Sequence, residues 1–231
     1  MKIHINYAHG RYTKSQELCS QSALNNGFDS AIKYGLKDID REFLDKNSYT
    51  FSQARGVGYW IWKPYLILKT LESMTDSDWM MYTDSGMHFV RNPWPYILEH
   101  EQNFRDKGIV TFGLCGLNKQ FTKRDAFVLM GSDNPKYTDA EQRTASVFVC
   151  RKTAFSVSFM KEWLSYACDP RIISDLPNTQ GLPNYSVFKD HRHDQSIMSI
   201  LAIKYDTYLM KDMTQFWMPD NPYIMHTRNP V

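Results

Sequence analysis

The sequence predicts an α/β fold, with a mostly parallel central sheet and helices on both faces. Two observations lead to this prediction. Short apolar runs bounded by turn residues, typical of strands buried on both sides, alternate along the chain with segments of helical pattern. No internal repeat and no low-complexity linker divides the 231 residues. We therefore expect a single domain that covers residues 1–231.

The strands are predicted from the apolar runs. The run from Trp79 to Thr83 is the clearest, because it is uninterrupted and ends abruptly at Asp84. Similar runs occur at residues 3–7, 30–34, 108–112, 144–150 and 207–210. The tail that follows these runs is expected to be irregular.

The helices are predicted from their periodicity and from capping residues. Thr153 is expected to cap one helix, Thr13 or Ser15 to cap another, and Pro64 to occupy a first helical turn. The predicted helices span residues 13–26, 64–74, 92–105, 122–130, 154–167 and 193–204. Residues 169–189 form a long loop, and a loop of this length in a compact domain is usually functional.

Composition excludes several classes of function. The net charge is +2 and the basic residues are dispersed, so we expect no nucleic-acid partner. The 4 cysteines form no CxxC pair, which argues against a zinc ribbon and favours reduced thiols in the cytoplasm. The start of the chain lacks the apolar segment of a signal peptide, and no apolar run is long enough for a transmembrane segment.

The turn Asp84-Ser85-Gly86 is the most informative segment. It follows the clearest strand, and open α/β sheets bind ligands at the carboxyl ends of their parallel strands. A carboxylate there can hold a divalent cation against a phosphate. An ordinary turn aspartate, favoured for its local hydrogen bonds, fits the same pattern equally well.

Four segments together resemble glycosyltransferases of the GT-A fold that use nucleotide sugars. They are Arg55–Lys63, Tyr82–Gly86, Gln142–Cys150 and His191–Ser199. The resemblance is closest to small enzymes from large DNA viruses and from bacterial surface-polysaccharide clusters. It implies a single GT-A (Rossmann-like) domain whose residues 1–115 bind the donor and whose residues 116–231 face the acceptor.

The resemblance also implies the reaction. It is a metal-dependent transfer of a sugar from a nucleotide sugar, a UDP-sugar, to a carbohydrate acceptor such as a glycan or surface polysaccharide. For a viral protein the compartment would be the host cytoplasm. The chain end at Val231 is compatible with a domain of a longer polypeptide.

The metal site implied by the resemblance is incomplete. GT-A enzymes usually carry a D-x-D motif, but glycine replaces the second acid at Gly86, and a single carboxylate binds Mn²⁺ or Mg²⁺ weakly. A literal D-x-D at residues 76–78 precedes the strand and is therefore at the wrong end. A histidine near the carboxyl terminus completes the metal shell in several GT-A families, which makes His226 the expected second ligand. Arg228 is expected to contact a phosphate.

Asp194 is the expected catalytic residue. In related enzymes a carboxylate at this position, the start of a helix, faces the acceptor or the donor sugar. It would accept a proton from the acceptor in inverting transfer, or stabilise positive charge on the sugar in retaining transfer. His193 or His191 is expected to assist. A carboxylate that only caps the helix or complements its dipole is the simpler alternative.

Several residues are expected to bind the donor. Arg55 and Lys63 would offset charge on the diphosphate, and the turn after the first strand would receive the base and ribose. Trp60 and Trp62 fit either this pocket or the core. Tyr7 fits either a stack on uracil or a buried strand end. The other expected donor contacts are Ala8, Tyr59, Asp84, Ser85 and Gly86.

Two other classes of function remain open at this stage. A non-catalytic sugar- or nucleotide-binding protein on a degenerate GT-A fold would explain the incomplete acidic motif. A nucleotidyltransferase also uses a metal at a sheet edge, but it would usually show a glycine-rich phosphate loop, and Ala8-His9-Gly10-Arg11 is a poor match.

Overall fold

The computed structural model describes residues 1–227, and their centre is a six-stranded sheet in the order β2-β1-β3-β6-β5-β7. Only β6 runs antiparallel to its neighbours, so the sheet is mostly parallel, as predicted. The six predicted strands are all present. Their bounds are β1 Lys2–Tyr7, β2 Ser30–Tyr34, β3 Trp79–Thr83, β5 Ile109–Leu117, β6 Glu141–Arg151 and β7 Tyr208–Met210, with β4 Met87–Phe89 and β8 Ile224–His226 outside this sheet.

Helices cover both faces of the sheet, because successive strand residues point to opposite sides. In β3, Met80 and Tyr82 join one buried cluster, while Trp79 and Met81 join the other. The helices are α1 Thr13–Asn25, α2 Arg41–Lys46, α3 Ser48–Phe51, α4 Gly56–Tyr59, α5 Trp62–Ser73, α6 Trp94–Leu98, α7 Asn118–Phe121, α8 Arg124–Leu129, α9 Pro135–Thr138, α10 Ala154–Ala167, α11 Pro170–Ile173 and α12 His193–Lys204. No helix within residues 1–227 is long and apolar enough to cross a bilayer.

Capping was predicted correctly at one helix and wrongly at another. Thr153 caps α10, since its hydroxyl accepts a hydrogen bond from the Ser156 N–H at 2.9 Å. Thr13 and Ser15 do not cap α1, because a 3₁₀ turn at Gly10–Tyr12 leads directly into this helix. Thr13 instead donates back to the Gly10 carbonyl at 2.8 Å.

The carboxyl-terminal tail is more ordered than the sequence predicts. β8 pairs antiparallel with β4, with His226 opposite Met87. The Thr227 N–H and hydroxyl then donate to the Gly86 carbonyl, at 3.1 and 2.8 Å. This pairing joins segments far apart in the chain, so local sequence patterns do not predict it. Its result is that His226 lies beside the turn that contains Asp84.

Candidate functional site

Asp84 lies at the carboxyl end of β3, as predicted. Its N–H donates to the Ser146 carbonyl at 2.9 Å, and its Oδ1 accepts from the Tyr82 hydroxyl at 2.8 Å. About a third of its side chain (32%) is exposed. The D-x-D at residues 76–78 lies at the opposite edge of the sheet, before β3. There Asp78 Oδ1 pairs with the amino terminus of Met1 at 2.5 Å.

Two cavities meet at this carboxylate. The larger cavity has a volume of about 750 Å³ and is lined by the end of β1, by α4 and by the Asp84 turn. The polar cleft has a volume of about 280 Å³ and is lined by Arg55, Lys63 and the start of α12. Asp84 and Trp60 line both spaces. A molecule in one cavity would therefore approach a molecule in the other beside these two side chains.

Asp194 lies in the polar cleft, in the first turn of α12, and only 3% of it is exposed. The Lys63 ammonium lies 3.0 Å from its Oδ2, but without hydrogen-bonding geometry, so this oxygen has no hydrogen bond within residues 1–227. Burial raises the pKa of Asp194 to about 6, and the nearby Lys63 charge limits the rise. A carboxyl group with this pKa can exchange a proton near neutral pH.

Lys63 and Arg55 differ from the expectation that they contact a diphosphate. Lys63 is buried, 3.3 Å from Asp84 Oδ1, and its ammonium donates to the Ala145 carbonyl at 3.1 Å. Arg55 forms ion pairs with Asp175 and Asp190, at 3.2 and 2.7 Å. Both cations line the cleft and not the larger cavity, because carboxylates of the cleft hold them there.

His193 and His191 are held as neutral, buried side chains. Burial and the charge of Arg55 lower the pKa of His193 to about 3, and its Nε2 lies 3.0 Å from Asp175 Oδ1. Burial and the neighbouring His193 also lower the pKa of His191, whose two ring nitrogens bind the Lys123 N–H and the Ile172 carbonyl. These contacts favour positioning roles over proton transfer.

The aromatic residues differ in how they meet the cavities. Tyr7 stacks on Trp62, with ring centroids 3.9 Å apart, and both belong to the buried core and also line the larger cavity. Tyr59 stacks on His193 at 4.8 Å and is not among the residues that line either cavity. Trp60 is half-buried and lines both spaces.

The backbone of this aromatic segment is unusual. Five consecutive residues, 56–60, have φ between 52° and 89°. A side chain at position 56 would meet the Trp60 ring at 2.4 Å, so only glycine fits there. The Trp62 indole N–H donates to the Gly56 carbonyl at 2.9 Å. This left-handed turn fixes the Trp60 ring at the junction of the two cavities.

The remaining predicted donor residues surround the larger cavity. Ala8, Ser85, Gly86 and His226 all line it together with Asp84. Arg228 lies outside the described residues. The sequence did not single out Arg11, Tyr12, Val57 or Tyr82, which also line this cavity. For Arg11 and Tyr12, the one feature of the local sequence that indicates a place in this cavity is their position directly after β1.

A divalent cation would find an incomplete site. Asp84 and His226 stand on the wall of one cavity, and no group of three or more metal-ligating side chains occurs within residues 1–227. One carboxylate and one imidazole suit Mn²⁺ or Mg²⁺ when a bound phosphate supplies further oxygens. The residues present therefore fit a cation that binds together with a phosphate ligand.

Comparison with solved structures identifies the fold. No protein-family model and no curated protein sequence matches this chain. Mouse xyloside xylosyltransferase 1 superimposes with a TM-score of 0.50 at 10% identity, over 98% of this chain and 97% of the other. A glycosyltransferase involved in the glycosylation of the major capsid of PBCV-1 gives 0.52 at 11% identity, over 99% and 95%.

The bifunctional glycosyltransferase WbbM gives a TM-score of 0.55 at 9% identity, and the match covers 98% of this chain but 45% of that protein. All three matches extend over nearly the whole of this chain. The mixed sheet and the helices on both its faces agree with them. The chain therefore has the fold of GT-A-like glycosyltransferases.

Proposed function

We propose that this protein is a metal-dependent glycosyltransferase that moves a sugar from a UDP-sugar to a carbohydrate acceptor, such as a glycan or surface polysaccharide. One observation carries the proposal. A cavity large enough for a nucleotide sugar meets a small polar cleft at Asp84, and the cleft contains a buried carboxyl group with a pKa near neutrality. Two substrates and the group that acts between them thus have separate places.

The larger cavity is the proposed donor site. The turn after β1, with Ala8, Arg11 and Tyr12, would receive the nucleoside, and the Asp84 turn would face the diphosphate. Arg11 is exposed on the cavity wall and forms no ion pair within residues 1–227. It is therefore the cation best able to offset the diphosphate charge, in the role expected of Arg55 and Lys63.

Asp84 and His226 would hold the divalent cation, together with oxygens of the diphosphate. When bound, the cation would offset the negative charge that grows on the leaving diphosphate. The protein itself supplies the carboxylate and the imidazole and fixes both through the β4–β8 pairing. The Tyr82 hydroxyl orients the Asp84 carboxylate by donating to its Oδ1.

Asp194 is the proposed catalytic residue. In the transfer, the acceptor hydroxyl oxygen bonds to the anomeric carbon, the bond from that carbon to the phosphate oxygen breaks, and UDP leaves with the electron pair. The hydroxyl proton passes to Asp194 in the inverting reaction and to the leaving phosphate oxygen in the retaining one. The anomeric configuration of the product distinguishes the two.

Binding of UDP tests this function before any donor sugar is known. We expect UDP to bind in calorimetry with MnCl₂ present, and to bind much more weakly after Asp84→Ala or without the cation. Asp76→Ala is the matched control, because Asp76 is an exposed residue of the rejected D-x-D. A screen of UDP-sugars for Mn²⁺-dependent hydrolysis should then identify the donor.

Two results would contradict the proposal. Full Mn²⁺-dependent turnover by Asp84→Ala would show that the metal assignment is wrong. UDP binding without hydrolysis or transfer of any sugar would favour the non-catalytic binding protein.

The four separate cysteine thiols, at positions 19, 115, 150 and 168, agree with the cytoplasm as the proposed compartment.

A further inference from the structure

Lys63 forms ion pairs with both carboxylates of the proposed site. Its ammonium lies 3.3 Å from Asp84 Oδ1 and 3.0 Å from Asp194 Oδ2. Asp84 Oδ1 and Asp194 Oδ2 are therefore close to each other, because the same ammonium lies within ion-pair distance of both. Asp84 lines both the donor cavity and the polar cleft, and Asp194 lines the cleft alone, so the lysine lies where the two substrates would meet.

The position of Lys63 is fixed from several sides. Its Nζ donates to the Ala145 carbonyl at 3.1 Å, while the Ala145 N–H donates to Gln195 Oε1 at 3.1 Å. Gln195 also donates to Gln142 at 2.9 Å and follows Asp194 in the first turn of α12. The ammonium lies 5.0 Å from the centroid of the Tyr82 ring. Strand β6 and helix α12 thus hold the lysine against both carboxylates.

A phosphate would have little access to this ammonium. Only 4% of the Lys63 side chain is exposed, and three oxygen atoms of the protein already surround its Nζ. Two of these three oxygens belong to the carboxylates of Asp84 and Asp194, both at ion-pair distance. A permanent buried cation between two carboxylates offsets their mutual repulsion and gives each a defined place.

We propose that Lys63 is a positioning residue that joins the donor-side carboxylate Asp84 to the acceptor-side carboxylate Asp194. This inference rests on the proposed function and adds a residue to it. Lys63 contacts neither substrate in this role. It keeps Asp194 ionised and aimed at the acceptor while Asp84 is engaged by the donor complex.

The test compares neutral and charged replacements. Lys63→Met and Lys63→Gln remove the charge, Lys63→Arg keeps it, and Lys69→Met on the same helix is the control, because Lys69 is exposed and pairs with Asp40. The measurements are calorimetric binding of UDP with MnCl₂, and the pH profile of sugar transfer with the UDP-sugar that the hydrolysis screen identifies.

We expect the neutral variants to bind UDP and Mn²⁺ within about tenfold of wild type. Their transfer rate should fall by about 100-fold or more, as for loss of a general base. On the acidic side of their pH profile, called the acidic limb, the pH of half-maximal transfer rate should rise by about 1–3 units. The reason is that Asp194 loses a cation at ion-pair distance. Lys63→Arg should keep the limb at its wild-type position, and Lys69→Met should match wild type throughout.

The outcomes separate positioning from simple support of the fold. An unmoved acidic limb in a folded neutral variant would overturn the inference, even if its transfer rate were low. If Lys63→Met does not fold, Lys63→Gln, which keeps N–H donors for the Ala145 carbonyl, decides the question. Absence of UDP binding or transfer in the wild type would instead overturn the proposed function, and this inference with it.

Discussion

The carboxyl group of Asp194 is almost fully enclosed, and one of its two oxygens lacks the hydrogen bond that usually compensates burial. Its Oδ2 has an ion-pair partner in Lys63 but no hydrogen bond within residues 1–227. Burial of such a group favours its neutral form, and Lys63 favours the ionised form. The two effects leave the pKa at about 6, which suits a group that must accept a proton near neutral pH.

Replacement of Asp194 should separate binding from turnover. Asp194→Asn keeps the shape of the side chain but cannot accept a proton, so transfer should fall by about 100-fold or more. UDP and Mn²⁺ should still bind, since Asp194 does not line the larger cavity. Asp45→Asn, at an exposed carboxylate of α2, is the control. Unchanged transfer by Asp194→Asn would show that the carboxylate has no direct role.

The wild-type pH profile tests the same residue in another way. Transfer requires ionised Asp194 in either stereochemical course, so the rate should rise with pH and reach half its maximum near pH 6. The measurement is transfer under saturating donor between pH 5 and 8, which is about the range accessible to such assays. A rate that is independent of pH over this range would contradict the assignment.

The left-handed turn at residues 56–60 is the longest run of positive φ within residues 1–227. Val57, Tyr59 and Trp60 each carry a side chain at positive φ, which costs about 1–2 kcal/mol per residue. Ion pairs from Arg55 to Asp175 and Asp190 help to retain this conformation. The strain is located where Trp60 separates the two cavities, which agrees with the tendency of strained backbone to occur at functional sites.

Two glycine substitutions with nearly equal φ isolate the contact with Trp60. Gly56 and Gly131 have φ of +61° and +63°, but a Cβ at position 56 would lie 2.4 Å from the Trp60 ring, whereas one at 131 would meet open space. Gly131→Ala should lower the free energy of unfolding by about 1 kcal/mol. Gly56→Ala should cost about 1–3 kcal/mol more and weaken transfer, because the ring must move. Equal urea midpoints for the two variants would contradict this packing.

The loop at residues 174–192 is held by helix α8 and by Lys123, which directly precedes it. Asp125 in α8 is fully buried and accepts hydrogen bonds from the Thr179 N–H and hydroxyl and from the Gln180 N–H, at 2.6, 2.9 and 3.1 Å. Lys123 donates from its Nζ to the Leu176 carbonyl at 2.6 Å. The loop that carries Asp175 and Asp190 is therefore anchored, despite its length.

Asp125→Ala should release this anchor. It removes the acceptor of three part-buried hydrogen bonds, so the free energy of unfolding should fall by about 1–3 kcal/mol. Cleavage within the loop should become faster in limited proteolysis. Asp139→Ala, at a half-exposed surface ion pair with Lys119, should change stability by less than about 0.5 kcal/mol. A loop as resistant to protease as in wild type would argue against the anchor.

For the whole molecule, buried histidines make stability depend on pH. Burial lowers the pKa of His4 and His193 to about 3, and that of His191 well below its ordinary value. Their stabilising contribution is complete above the unfolded value of about 6.5 and is lost as the pH falls below it, by about 1.4 kcal/mol per unit for each histidine. Asp194 has the opposite effect. Its pKa is raised in the folded state, so the free energy of unfolding gains from its protonation as the pH falls from about 6 to 3.8.

The free energy of unfolding should therefore decrease between pH 6.5 and pH 4.5, with three histidines opposed by Asp194 and by Asp212, whose pKa burial also raises. Urea unfolding at several pH values measures the slope. His4→Gln should flatten this slope by the contribution of one proton. A stability that does not vary with pH would mean that these histidines are not buried in the neutral form.

The sequence by itself determined the elements that depend on local chemistry. The six strands of the main sheet, the Thr153 cap and the place of Asp84 after β3 all follow from apolar runs, turn residues and capping residues near in the chain. Helix α12 was likewise predicted with its observed bounds, His193–Lys204. Such features are set by neighbours within a few residues, which a single sequence displays.

The tertiary structure alone decided which side chains share a site. The pairing of β4 with β8 brings His226 to the Asp84 turn across more than half the chain, and the ion pairs of Lys63 join residues of β3 and α12 through a third element, α5. Two other long-range ion pairs, with Asp175 and Asp190, hold Arg55 at the cleft. Their physical reason is that burial and charge partners depend on packing between distant segments, which local pattern does not encode.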